Sequence, residues 1–130
     1  MAVNFITNSN NYRVFEKVTN IHKYMNNIYK TYYLGKSQID KIINFILNEF
    51  CNMMVIGYDK DKYWCKKYNN SLCCLHLEII VISIGFDKSV VKITPIIGTY
   101  ENINNFINTF NESIQLYKTS NFIKNIILNH

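Results

Sequence analysis

Cys74, His76 and Glu78, three side chains able to do acid–base or nucleophilic chemistry, alternate along one stretch of this chain. They lie within Leu72–Ile84, its longest apolar run, and a spacing of two places them on one face of a β-strand. Thiol, imidazole and carboxylate in line invite a nucleophile–base–acid reading. Neighbours on one strand point in parallel, however, whereas a catalytic thiolate needs its base within hydrogen-bond reach. The ordinary reading is a satisfied, partly buried polar trio. The sequence carries no Gly-rich phosphate loop, no His-Glu-x-x-His and no Gly-x-Ser-x-Gly. The expectation is a non-enzymatic protein with no catalytic residues and no cofactor.

Cysteine spacing points the same way. Cys51, Cys65, Cys73 and Cys74 form no Cys-x-x-Cys pair, and adjacent Cys73 and Cys74 face opposite sides of a strand. A zinc site needs closely spaced pairs. The four read as reduced, mostly buried thiols of a cytosolic protein, with no metal.

Binding chemistry is concentrated just before the apolar run. Lys60, Lys62, Lys66 and Lys67 place four lysines in eight residues, interleaved with Tyr63, Trp64 and Tyr68. With Lys92 these lysines are the candidate ligands for anionic lipid headgroups, and the three rings are the candidate membrane-interface aromatics. Near an anionic membrane each basic residue contributes about 1 kcal/mol, enough together for reversible peripheral attachment. Asp59 and Asp61 dilute the patch, and a solvated hairpin with its rings turned inward is the plainer reading.

The net charge of +5 is unevenly placed: residues 1–67 hold ten Lys and Arg against five Asp and Glu, and the remainder holds four of each. That asymmetry suggests a positive face and an acidic partner. Nucleic acid ranks below membrane, because Arg13 is the only arginine and base-edge readout leans on arginine forks. The richness in Ile, Asn, Lys and Tyr also fits an AT-rich genome, which by itself raises the lysine count.

At 130 residues the chain is one domain, long enough to bury a core without disulfide or metal. No secretory signal or transmembrane run is recognisable, so the expected location is cytoplasmic and peripherally membrane-associated. Residues 1–11 read as a loose tail. Tyr12 to about Tyr33 shows near-helical recurrence of Val14, Val18, Ile21, Met25 and Ile28. Ser37 reads as an N-cap with Asp40 at N3, opening a helix whose stripe runs Ile39, Ile42, Ile43, Ile46, Leu47 and Phe50. Strands follow at Met53–Tyr58, Lys62–Tyr68, Leu72–Ile84 and Ser89–Ile96, joined by short turns. Pro95 should end the last strand or hold it at an edge. A helix from about Glu101 to Tyr117 and a short one over Phe122–Leu128 complete the chain.

The fold class is therefore α+β, a four-stranded antiparallel meander sheet covered on one face by helices. Three parts are expected within a single compact domain: 1–36 as tail and helix, 37–117 as the α+β core, and 118–130 as a helical extension.

From Ser37 to Leu116, about 80 of 130 residues, this order resembles the kinase-associated domain 1, the C-terminal module of microtubule-affinity-regulating and AMP-activated-type kinases. The resemblance is carried by the helix Ile39–Phe50, the apolar-Cys pair Trp64-Cys65, the strand Leu75-His76-Leu77-Glu78-Ile79-Ile80-Val81, the closing Ile96-Ile97-Gly98, and a helix ending Ser113-Ile114-Gln115-Leu116. It departs where the family's penultimate strand is rich in basic residues, since only Lys92 remains there. What the resemblance implies is a regulatory module that binds acidic phospholipids such as phosphatidylserine or phosphoinositides. The alternative it implies is a protein–protein assembly surface for a kinase domain or regulatory subunit, or a small viral or parasite protein using the same fold. Oligomeric state is left open by the sequence.

Overall fold

The computed structural model describes residues 26–129. The chain runs β1 (Ile28–Tyr32), α1 (Lys36–Phe45), a π-helical turn (Ile46–Phe50), β2 (Met54–Asp59), β3 (Lys62–Asn69), β4 (Leu72–Gly85), β5 (Lys88–Gly98), α2 (Tyr100–Thr119) and α3 (Asn121–Leu128). The strands form one antiparallel sheet in the order β1-β5-β4-β3-β2.

The class is α+β as expected, but among the described residues the sheet has five strands rather than four. The extra one, β1, occupies the end of the segment expected to be helical. Ile28-Tyr29-Lys30-Thr31-Tyr32 is β-branched and aromatic, and its burial alternates, with Tyr32 inside and Tyr29 and Thr31 out. It pairs with β5 from Ile28 opposite Ile93 to Tyr32 opposite Ser89. The remainder of the expected helix, from Tyr12, lies outside the described residues except for positions 26, 27 and 33, which are not helical.

Addition of β1 turns β5 into an inner strand, and β5 continues through Pro95 to Gly98. Pro95 is tolerated for two reasons. It lies beyond Ile93, where pairing with β1 stops, and it sits at a bulge in the pairing with β4 between His76 and Leu77.

The first helix starts two residues earlier than expected. Gly35, not Ser37, is its N-cap, and no side chain caps it. Gly35 is fixed by space: a Cβ there would stand 2.5 Å from the backbone oxygen of Phe86 in the β4–β5 turn. Asp40 is used sideways instead. Its carboxylate takes the Lys36 ammonium at 2.7 Å and accepts from the buried Tyr63 hydroxyl at 3.1 Å. Lys36 also reaches Asp61 at 2.8 Å, tying α1 to the β2–β3 turn.

The core lies between the sheet and the helices. Ile39, Ile42, Ile43, Ile46 and Leu47 from α1 and its π-helical turn meet Cys65, Leu75, Leu77, Ile79, Val81, Val91 and Ile93 from the sheet. Ile103, Phe106, Phe110, Ile114 and Tyr117 from α2 complete it, with Tyr32 and Leu34 before α1 and Ile127 after α2 in the same cluster. All three expected parts of the chain thus contribute to one core. Tyr32 packs edge-on against Phe110 and donates its hydroxyl to Asn111, joining β1 to α2. The asparagine-rich α2 is capped by Thr99, whose hydroxyl accepts from the Asn102 amide. Packing rather than intrinsic propensity holds such a helix.

Candidate functional site

Because strand side chains alternate, the residues between the core positions form the opposite face of the sheet. Cross-strand register sorts that face into rows. Tyr29, Lys92, Ile80 and Lys62 stand abreast across β1, β5, β4 and β3. Thr94, Glu78, Trp64 and Gly57 form the next row, and Ile97, His76, Lys66 and Met54 the one after. On the other side of the lysine row lie Thr31, Val90 and Ile82. The described helices all pack on the core side, so this face is uncovered among the described residues, and only in that sense.

Trp64 lies at its centre. A Cβ at Gly57 would come within 3.0 Å of the Trp64 ring, so the indole lies across the glycine of β2 and is half-buried. Lys62, 49% exposed, approaches Glu78 at 3.5 Å. A long pair of this kind, with its ammonium half-exposed, contributes little to stability and leaves the ammonium free to move. His76 is half-buried beside Lys66, and burial followed by the Lys66 charge holds its pKa below the usual imidazole range. At neutral pH His76 is therefore uncharged, and the local charges are Lys62, Lys66 and Lys92 against Glu78.

The expected binding set divides by strand parity. Lys62, Lys66, Lys92 and Trp64 share the uncovered face. Tyr68, 45% exposed, sits beyond a bulge at the far end of β3. Lys60 is in the β2–β3 turn with φ 57°. Lys67 does not join the patch: it pairs in register with Leu75, a core position, and its charge is felt by Cys51 and Cys74. Tyr63 is corrected outright. It is 1% exposed, packed in the core and bonded to Asp40, so its ring cannot meet a membrane interface.

The line Cys74-His76-Glu78 is also broken. Lys67 pairs with Leu75 and the next residue, Tyr68, with Cys73, which leaves Cys74 as the bulged residue. Cys74 packs against the core while His76 and Glu78 stay on the uncovered face. Burial raises the pKa of all four thiols, pushing Cys51 and Cys65 up to about 12. A thiol held protonated is a poor nucleophile. Among the described residues no three His, Cys, Asp or Glu side chains are grouped to hold a metal ion. Two shallow depressions, of about 290 Å³ between β1 and α2 and about 340 Å³ beside the β4–β5 turn, bring together lysines, hydroxyls and amides, and the second also has the Asp40 carboxylate, which is engaged by Lys36 and Tyr63.

Sequence reasoning placed the β4–β5 turn but missed its exposed apolar tip. Phe86 is fully exposed there, with Ile84 49% and Ile82 38% exposed behind it. Tyr33, just after β1, lies nearby with the Lys88 and Lys118 ammonium groups 5.3 and 5.8 Å from its ring centroid. The available signal was an aromatic between glycine and aspartate in a turn, Gly85-Phe86-Asp87, where small polar residues are usual.

No protein-family model and no curated protein matches the chain. No helix among the described residues is long and apolar enough to cross a membrane.

Proposed function

We propose that this protein is a non-enzymatic binding module that attaches peripherally to anionic membrane surfaces, on the cytoplasmic side, through the uncovered face of its sheet. The observation that carries the reading is the grouping of Lys62, Lys66 and Lys92 around Trp64 on that face. Three ammonium groups can meet phosphatidylserine or phosphoinositide headgroups while the indole and the neighbouring Ile80, Val90 and Ile97 settle at the interface. The resemblance to kinase-associated domain 1 supports the same partner through the succession of helix, four antiparallel strands and helix from Lys36 to Thr119. At about 1 kcal/mol per lysine, less the share of Lys62 charge offset by Glu78, the electrostatic part is about 2–3 kcal/mol. That predicts weak, reversible and salt-sensitive attachment.

The test is sedimentation with vesicles containing phosphatidylserine or a phosphoinositide. Replacing Lys62, Lys66 and Lys92 by Gln should weaken binding roughly 30- to 150-fold. Unchanged binding by that variant would remove the face from the site. The apolar part of the face favours a second reading, a protein-assembly surface for a kinase domain, a regulatory subunit or a second copy. A chain that ignores vesicles yet forms a defined oligomer or a co-purifying complex by light scattering would favour it.

A further inference from the structure

The β4–β5 hairpin reaches well past its neighbours on one side. Lys62, the first residue of β3, stands opposite Ile80, and the Val81 amide donates to the Asp61 carbonyl at 3.2 Å. Beyond Val81, β4 has no β3 residue beside it, yet it continues to Gly85. At about 3.3 Å per residue the turn at Phe86 therefore stands roughly 16 Å past the level of Val81. The large apolar side chains on this projection are Ile82, Ile84 and Phe86, all exposed, with Phe86 completely so. Solvating three large apolar groups on one projection is costly, and such grouped exposure marks an interaction site.

The projection is also held in place. The Phe86 carbonyl rests against Gly35 so closely that no side chain fits there, and the Ser89 hydroxyl donates to the Leu34 carbonyl at 2.6 Å. The turn is thus braced against the start of α1, and ordering it on binding costs little. Lys88 flanks the turn opposite Gly85, with its ammonium drawn back over Tyr33, and the other lysines stand behind: Lys62 and Lys92 on the uncovered face and Lys60 in the adjoining turn. An apolar tip with a basic collar beside and behind it is complementary to a bilayer with an anionic surface. Rings and aliphatic chains enter below the headgroups, while ammonium groups stay level with them.

We infer that the β4–β5 hairpin is the membrane-penetrating element, with Phe86 the deepest side chain and Ile84 and Ile82 following it into the acyl region. This rests on the membrane reading above and adds to it an orientation: the hairpin end of the sheet points into the bilayer. Asp87, next to Phe86 in the turn, opposes entry and sets a limit on depth.

The experiment moves the only tryptophan to the tip, using Trp64→Phe together with Phe86→Trp, and adds anionic vesicles whose lipids carry bromine along the acyl chains. Fluorescence of the indole at the tip should shift to the blue and be strongly quenched, whereas that of Trp64 in the native chain should be quenched less. Phe86→Ala should weaken vesicle affinity by about tenfold, as expected for keeping a phenyl group in water. Asp87→Asn should strengthen it. Vesicle binding by the native chain, without acyl-chain quenching of the indole at the tip of the double variant, would overturn the insertion while leaving the lysine face standing. Absence of vesicle binding by the native chain would overturn both. A blue shift without quenching, on a chain that elutes as an oligomer, would put the ring in a protein pocket and overturn the insertion as well.

Discussion

Replacing Tyr63 by Phe separates the core role of this residue from a surface one. Tyr63 is among the largest fully buried side chains, and its hydroxyl donates to Asp40 Oδ1 at 3.1 Å while Asp40 Oδ2 takes the Lys36 ammonium. Removing the hydroxyl keeps the ring and its packing, so no cavity term enters. What is lost is a hydrogen bond to a charged acceptor, about 1.5–3 kcal/mol in general. The Asp40 side chain is 30% exposed, so water partly replaces the donor and the lower end, near 2 kcal/mol, applies. For a domain of this size that corresponds to a fall in Tm of roughly 8 °C. Denaturant unfolding of Tyr63→Phe, Asp40→Asn and the double variant forms a cycle, and the two single losses should not add. Vesicle binding by Tyr63→Phe at a temperature where it is fully folded should match the native chain. Unchanged stability, or additive losses, or selective loss of vesicle binding would refute the placement of Tyr63 in the core.

Other expectations follow from single contacts. Gly35→Ala forces the Phe86 carbonyl away from α1, and an overpacked site of this kind costs about 1–3 kcal/mol; a Tm equal to that of the native chain would contradict the close approach. His76 binds its proton less readily folded than unfolded, so between the two pKa values the unfolded chain holds more protons and stability falls as pH drops through the range below about 6.5. Urea midpoints at neutral and mildly acidic pH should therefore differ more for the native chain than for His76→Gln, and an equal difference would exclude His76 as a source. Cys51 and Cys65, buried and pushed up to about 12, should react with a thiol reagent only on unfolding. Labelling of either in the folded protein at neutral pH would contradict that burial.

What the sequence disclosed and what it concealed follow from the range of the interactions involved. The α1 stripe from Ile39 to Phe50 and the strands around Asp59–Asp61 and Gly85–Asp87 were legible because period and turn residues are local. β1 was concealed because Ile28–Tyr32 becomes a strand only by pairing with Ser89–Ile93, some sixty residues away, and its apolar positions also continue a helical count. Alternation along Lys62–Tyr68 was legible, yet it did not say which face was buried. Burying Tyr63 and Cys65 is what leaves Lys62, Trp64 and Lys66 on the uncovered face and sends Lys67 the other way. The bulge at Cys74 carries no marker such as glycine, so the separation of Cys74 from His76 could be seen only in the register. Phe86 illustrates the remaining gap. A turn was read from its glycine and aspartate, but exposure of the ring between them depends on how far β4 outruns β3.

The most direct measurement of the central claim is the affinity of the native chain for phosphatidylserine-containing vesicles as salt is raised, beside vesicles of neutral lipid alone. Binding that is measurable at low salt, falls steeply as the charges are screened, and is absent on neutral vesicles is the predicted result. Binding indifferent to both salt and lipid charge, or no binding at low salt, would contradict a lysine-bearing sheet face as a membrane surface.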